Sequence, residues 1–199
     1  MVGPTDDDRS QFFFTAGLFR RAICGCGLQG GVVFDMLHDN YYVDMEVAQL
    51  RGELSFVGPC LREFGFMFAS SLEDDSDRDR QGFLEVWEPI DQYAFFYRRT
   101  FECGGSYRLW AGFTGQGEAL LGGDAQVPLA DAWAISTGFN YLVPEGGGNG
   151  GVGDYTLESW NVGINLVWYP GCQARCVGIA RPLFNVADNG SFMLRRLNR

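Results

Sequence analysis

The chain has one histidine, His38 in Asp35-Met-Leu-His38-Asp39, and any Ser-His-Asp mechanism would have to use it. Such a mechanism needs a base held by a third group within hydrogen-bond reach of the nucleophile. Placed at a strand end beside Asp39, His38 reads instead as a rim residue. Cys24-Gly-Cys26 and Cys172-Gln-Ala-Arg-Cys176 offer thiolates to a metal. Their spacings are not the C-x2-C of zinc ribbons and no histidine lies near them, so no metal is expected. The acidic run Glu73-Asp-Asp-Ser-Asp-Arg-Asp-Arg80 lacks the glycine and terminal glutamate of a calcium loop. The glycine run Gly146–Gly151 is not followed by lysine or by a helix, so it is a linker rather than a phosphate cradle. No cofactor and no catalytic residue is expected.

The remaining candidates are charges on strand faces that should be internal. Asp44, Glu46, Glu53, Glu63 and Asp124 fall there with Arg51 and Arg108, and Arg98 or Arg99 adds another. A carboxylate-pair hydrolase would need an acid and a base set across a cleft. A narrow lumen filled by arginine–carboxylate pairs needs no chemistry to explain it, and that is the reading adopted.

Those faces belong to strands. Apolar residues alternate with polar ones along nine segments, and helical stripes do not occur. Trp160, Val162, Ile164, Leu166 and Trp168 alternate with Ser159, Asn161, Gly163 and Asn165. Trp133, Ile135, Phe139 and Tyr141 alternate with Ala134, Ser136, Gly138 and Asn140. Segments 61–71, 93–101, 106–114 and 119–128 behave alike, and 11–20 and 30–38 do so more weakly. Segment 41–57 changes polarity partway, which predicts a bulge near Arg51–Gly52. Segments 73–88 and 143–155 read as solvated loops. The tail Leu183–Leu194 is interrupted by Asp188-Asn189-Gly190.

An apolar face opposed to a polar one fits two architectures. In a soluble protein the polar face meets water. In a membrane barrel it lines the lumen, while the apolar face meets lipid between two aromatic girdles. Trp160 with Trp168, and Trp133 with Tyr141, lie about one strand length apart, as girdles require. If the strands run up and down, all six cysteines, Cys24, Cys26, Cys60, Cys103, Cys172 and Cys176, fall at one end. That rim suits disulfides in an oxidising compartment, with Cys172–Cys176 the first choice. The other end carries the long loops.

The chain is 199 residues long with net charge −10, and its 15 basic residues are all arginine. Nucleic acid is therefore not an expected partner. Gly is 28 and aromatics are 15%. No run approaches the ~18 apolar residues of a membrane helix, and Met1–Arg9 has no apolar signal region.

Several strings resemble an uncharacterised family of planctomycete bacteria: Phe13-Phe-Thr-Ala-Gly-Leu-Phe-Arg-Arg21, Gly31-Val-Val-Phe-Asp-Met-Leu-His-Asp39 and Tyr93-Ala-Phe-Phe-Tyr-Arg-Arg-Thr-Phe101. Leu109-Trp-Ala-Gly-Phe-Thr-Gly115, segment 158–171 and segment 181–192 resemble it too. The resemblance implies an exported, β-rich, outer-membrane protein without assigned function, usually with further strand-like sequence upstream.

The sequence thus predicts an all-β, antiparallel up-and-down meander of about nine strands. It is read as an outer-membrane-type barrel, with 1–10 a disordered acidic N-terminus, 11–171 the barrel and 172–199 a tail. Trp133, Trp160, Val162, Ile164, Leu166 and Trp168 should face lipid. The expected role is structural or a small pore, porin-like, not enzymatic, with the bilayer and cell-envelope proteins as partners. The alternative is a soluble or secreted β-sandwich or small barrel that binds a ligand or a cell-surface partner. An odd strand count also predicts that the first and last strands are not fully paired with each other.

Overall fold

The computed structural model describes residues 10–22, 26–40, 45–78, 84–143, 159–171, 174–176 and 181–197. These hold twelve strands and, apart from a single 3-10 turn at Pro59–Leu61, no helix. Nine strands form one antiparallel sheet: β1 (Gln11–Arg20), β2 (Gly27–Asp39), β3 (Met45–Val57), β4 (Arg62–Glu73), β7 (Gln92–Thr100), β8 (Ser106–Thr114), β9 (Ala119–Pro128), β10 (Trp133–Val143) and β11 (Ser159–Trp168). They pair in chain order and curl into a half-barrel. β1 and β11 are its two edges. The nine segments predicted from alternation are these nine strands.

Three short strands form a second sheet in the order β12–β6–β5: β5 (Asp75–Arg78), β6 (Leu84–Pro89) and β12 (Leu194–Leu197). Segment 73–88, expected to be a loop, is thus a hairpin that leaves the main sheet after β4 and returns at β7. Adding two strands rather than one preserves the up-and-down parity. The glycine run at 146–151 lies outside the described residues.

β3 contains no bulge. It pairs with β2 without a break from Gly27↔Val57 to Asp39↔Met45. The irregularity lies in β4, where Leu72 is the extra residue between Ser71, opposite Gln49, and Glu73, opposite Ala48. The odd residues of β3 all face inward, but that face changes chemistry along its length. Met45 and Val47 are buried among Leu37, Ala187 and Phe192, whereas Glu53 and Ser55 are buried among polar groups. A change of polarity on one face had the sequence signature of a change of register.

The inner face is covered by the chain's own tail. Arg181 is bonded to Gly104 at the end where β7 turns into β8. Asn185 meets Arg51 in mid-sheet, Asp188 meets Asn165, and Gly190 meets Asn140. Ile90 N–H donates to the Met193 carbonyl at 2.7 Å, and Leu194 then pairs with Pro89. The segment therefore crosses the concave face from one rim to the other. Its apolar side chains make the core: Ala187 and Phe192 with Leu37, Met45 and Val47, and Met193 with Ile90, Leu120 and Leu142. The tail is part of the packed unit, not an appendage to it.

The outward faces remain apolar and uncovered. Each of the nine strands exposes at least one large hydrophobic side chain, from Phe12 and Leu18 on β1 to Ile164, 75% exposed, on β11. Charged side chains at outward positions stand only near strand ends among the described residues: Arg20, Arg62 and Arg99 at one rim, Glu46 and Glu73 at the other.

Close strand approach is tightest at Gly112. A methyl group there would overlap the Tyr93 carbonyl and Ala94 of the neighbouring strand. Gly138 has only one backbone oxygen nearby, at 3.9 Å. Gly112→Ala should therefore lower stability by about 1–3 kcal/mol, while Gly138→Ala stays within about 0.5 kcal/mol of the parent, as read by denaturant unfolding.

Candidate functional site

Alternation places one set of polar side chains on the concave face, and the register brings them together. Glu53 on β3 is the centre, 5% exposed. Arg98 on β7 donates to both of its carboxylate oxygens, at 2.9 and 2.8 Å, and to Glu63 of β4 at 2.9 Å. Glu63 also accepts from Ser55 at 2.6 Å and from Gln29 of β2 at 2.8 Å. Arg108 on β8 reaches Glu53 at 3.2 Å and binds Asp124 of β9 at 2.6 and 2.8 Å. The rings of Phe96 and Trp110 lie 4.9–5.7 Å from these guanidiniums. One bonded network thus joins β2, β3, β4, β7, β8 and β9.

A second group adjoins it. Asp35 of β2 is fully buried and holds Arg51 through two bonds, at 2.7 and 3.0 Å. Thr15 of β1 and Gln49 also donate to Asp35, and Arg51 donates onward to the Asn185 carbonyl.

Of the seven predicted internal charges, Arg51, Glu53, Glu63, Arg108 and Asp124 stand together on this face. Glu46 does not. Its even position in β3 turns it outward, where it is exposed. Asp44 lies outside the described residues. Arg98 rather than Arg99 is the inner arginine; Arg99 stacks over Phe101 instead, 5.4 Å from the ring centroid. Asp35, Gln29, Arg21 and Arg181 were missed. For Asp35 the signal was present, since it shares the parity of Val33 and Leu37 on one face. Arg21 and Arg181 lie outside any strand, and no periodicity marks them.

Arg21 and Arg181 have a different environment. Arg21 donates to the carbonyls of Arg181 and Pro182, at 3.1 and 2.6 Å. Arg181 donates to the Gly104 carbonyl, Ser106 and Gln126. Burial, followed by the charge of Arg98, pushes Arg21 down to about 10. Burial and Arg98 lower Arg181 too, partly offset by Tyr169. Between tail and sheet lies a half-enclosed cavity of about 210 Å³, lined by these arginines, the Glu53 network and Phe184.

Among the described residues the cysteine rim is not stapled. Cys26, Cys60, Cys103 and Cys176 are free thiols, and the first three are exposed. With Cys176 free, the expected Cys172–Cys176 bridge is not formed. The up-and-down order gathers these turns at one rim, but it does not bring the described thiols together. Cys24 and Cys172 lie outside the described residues. His38 sits at outward parity near the end of β2, opposite Glu46. The six residues expected to face lipid are all on the convex face, from Ile135's neighbour Trp133 at 42% exposed to Ile164.

Removing Glu53 leaves two buried guanidiniums without their shared partner. Glu53→Ala should cost about 3–5 kcal/mol, the range for breaking a buried ion pair. Glu46→Ala should change stability by no more than about 0.5 kcal/mol. Both are readable as shifts in the unfolding midpoint.

No curated protein and no solved structure matches this chain. A family defined only as one of unknown function, DUF6666, matches residues 2–194. That span takes in all nine strands, the inner network and the tail that crosses it, so the chain belongs to the DUF6666 family.

Proposed function

We propose that the protein is a bacterial outer-membrane β-barrel wall with a structural role and no enzymatic step. The observation that carries this reading is the convex face. All nine strands expose large apolar side chains there, and outward charges are confined to the strand ends. A contiguous apolar surface of this extent marks contact with lipid or protein. Water would oppose it, whereas the hydrocarbon of a bilayer would not.

The rims support the same reading. Trp133 and Trp168 stack at the cysteine rim with ring centroids 6.4 Å apart, and Tyr97 and Tyr107 are 6.1 Å apart there. At the other rim Tyr93 stacks with Phe113 at 5.7 Å, and Tyr141 stands opposite Trp160. Trp160 and Trp168 are eight residues apart on β11. That is about 26 Å along the strand, or about 20 Å along a barrel axis at the usual tilt, close to the ~25 Å apolar band of such barrels. The resemblance to exported planctomycete proteins points the same way. The tail filling the inner face favours a structural role over a pore.

The second reading, a soluble or secreted barrel that binds a ligand, has one observation in its favour: the polar cavity between sheet and tail. Detergent dependence separates the two. The membrane reading expects aggregation on detergent removal and recovery in micelles; a monodisperse monomer in plain buffer would end it. Facing can be tested residue by residue. Ile164→Arg should cost about 2–4 kcal/mol in a bilayer, near the value for a charge at the midplane. Gly163→Ala, whose added methyl meets nothing within 4 Å on the inner side, should cost little. Equal costs would overturn this facing.

A further inference from the structure

The concave face carries five arginines, and three of them are matched. Arg51 has Asp35, Arg98 has Glu53 and Glu63, and Arg108 has Asp124. Arg21 and Arg181 have neutral acceptors only: carbonyls, a hydroxyl and an amide oxygen. Asp188, the other carboxylate lining the cavity, is engaged by Asn165 and by the backbone of its own turn. The sequence offers no further carboxylate nearby, because residues 22–34 and 172–187 contain neither Asp nor Glu. Counted over the whole face the charges balance, five arginines against Asp35, Glu53, Glu63, Asp124 and Asp188, but none of those carboxylates is bonded to Arg21 or Arg181.

The arrangement is unfavourable as it stands. Half-buried guanidiniums with neutral partners lack the charge that best offsets their desolvation. Arg98 and Arg181 also repel Arg21, partly offset by the unbonded charges of Glu63 and Glu53. The neighbouring cavity of about 210 Å³ is many times the ~10–15 Å³ that one water requires. The forked donors of arginine match the paired oxygens of carboxylate and phosphate.

We propose that the cavity between the tail and the sheet binds a small free oxyanion, a phosphate or a carboxylate, held by Arg21 and Arg181. The anion supplies the directly bonded negative partner that neither arginine has. Because Arg21 holds the tail through the Arg181 and Pro182 carbonyls, a bound anion would also fasten the tail at the point where it enters the inner face.

The test is calorimetric titration of the full chain in detergent, with inorganic phosphate in one arm and acetate in the other. Sodium chloride at matched ionic strength is the blank, since general screening would act equally in all three. Saturable single-site binding of either oxyanion, with a higher thermal midpoint than in chloride, is the expected result; the arm that responds names the class. Arg21→Gln should weaken that binding at least tenfold, and Arg20→Gln, one residue away on β1 at outward parity, should leave it unchanged. If Arg21→Gln does not fold, Arg21→Lys takes its place, with weaker binding expected from loss of the fork. A flat isotherm in both arms, or affinity unaltered in the Arg21 variant that folds, would overturn the proposal.

Discussion

The half-barrel depends on one buried ion cluster. Glu53, bonded by Arg98 and Arg108, is the point at which non-neighbouring strands are tied across the concave side. Backbone ladders link each strand only to the next and leave the curvature free. The Glu53 cluster spans from β2 to β9 and so fixes how far the sheet bends. Buried ion pairs contribute little net stability compared with a well-packed apolar core, but breaking one is costly. They therefore act more as a specification of shape than as a source of stability. Gln29 and Ser55 complete the coordination of Glu63, and a network satisfied in this way is rigid.

The tail completes what the charges cannot. On the half of the inner face near the long-loop rim, Leu37, Met45, Val47 and Leu120 would be open without it. Ala187, Phe192 and Met193 close over them, and β12 then joins the β5–β6 hairpin. One segment thus does two things. It hydrogen-bonds polar groups toward the cysteine rim and buries apolar ones near the other. This explains why the inner face of β3 changes from apolar to charged along its length: each half is matched to the stretch of tail that lies over it.

Nine strands and their facing were legible because alternation is a local property, and a curled sheet with two chemically different sides obeys it throughout. Arg98 and Arg99 could not be separated in sequence, since either phase of β7 leaves aromatics on both faces. Only the pairing with β4 and β8 decides. Glu46 was misplaced because β3 was assumed to change register where it changes polarity. The short strands β5 and β12 lack alternation, and β12 finds its partner more than 100 residues away. The tail's contacts are those of irregular chain, for which sequence has no period. The described cysteines fell at one rim as topology required, yet common location does not set two thiols within bonding distance.

The sheet's edges impose a last constraint. In an antiparallel meander of nine strands, the first and the ninth run in the same direction. β1 and β11 therefore cannot close on each other with antiparallel pairing. Direct closure would need a parallel seam, and a second copy inserted in the same orientation would meet each edge in parallel as well. An odd number of added strands is what gives antiparallel pairing at both edges. Lipid offers no hydrogen bonds to open backbone groups, so a membrane wall built on this sheet must have its edges occupied. Apolar side chains line both edges on the convex side, Phe12, Phe14 and Leu18 along β1 and Trp160 to Trp168 along β11. The apolar band thus runs unbroken to the edges, and its outward chemistry sets the face that any added strand must continue: apolar without, polar within.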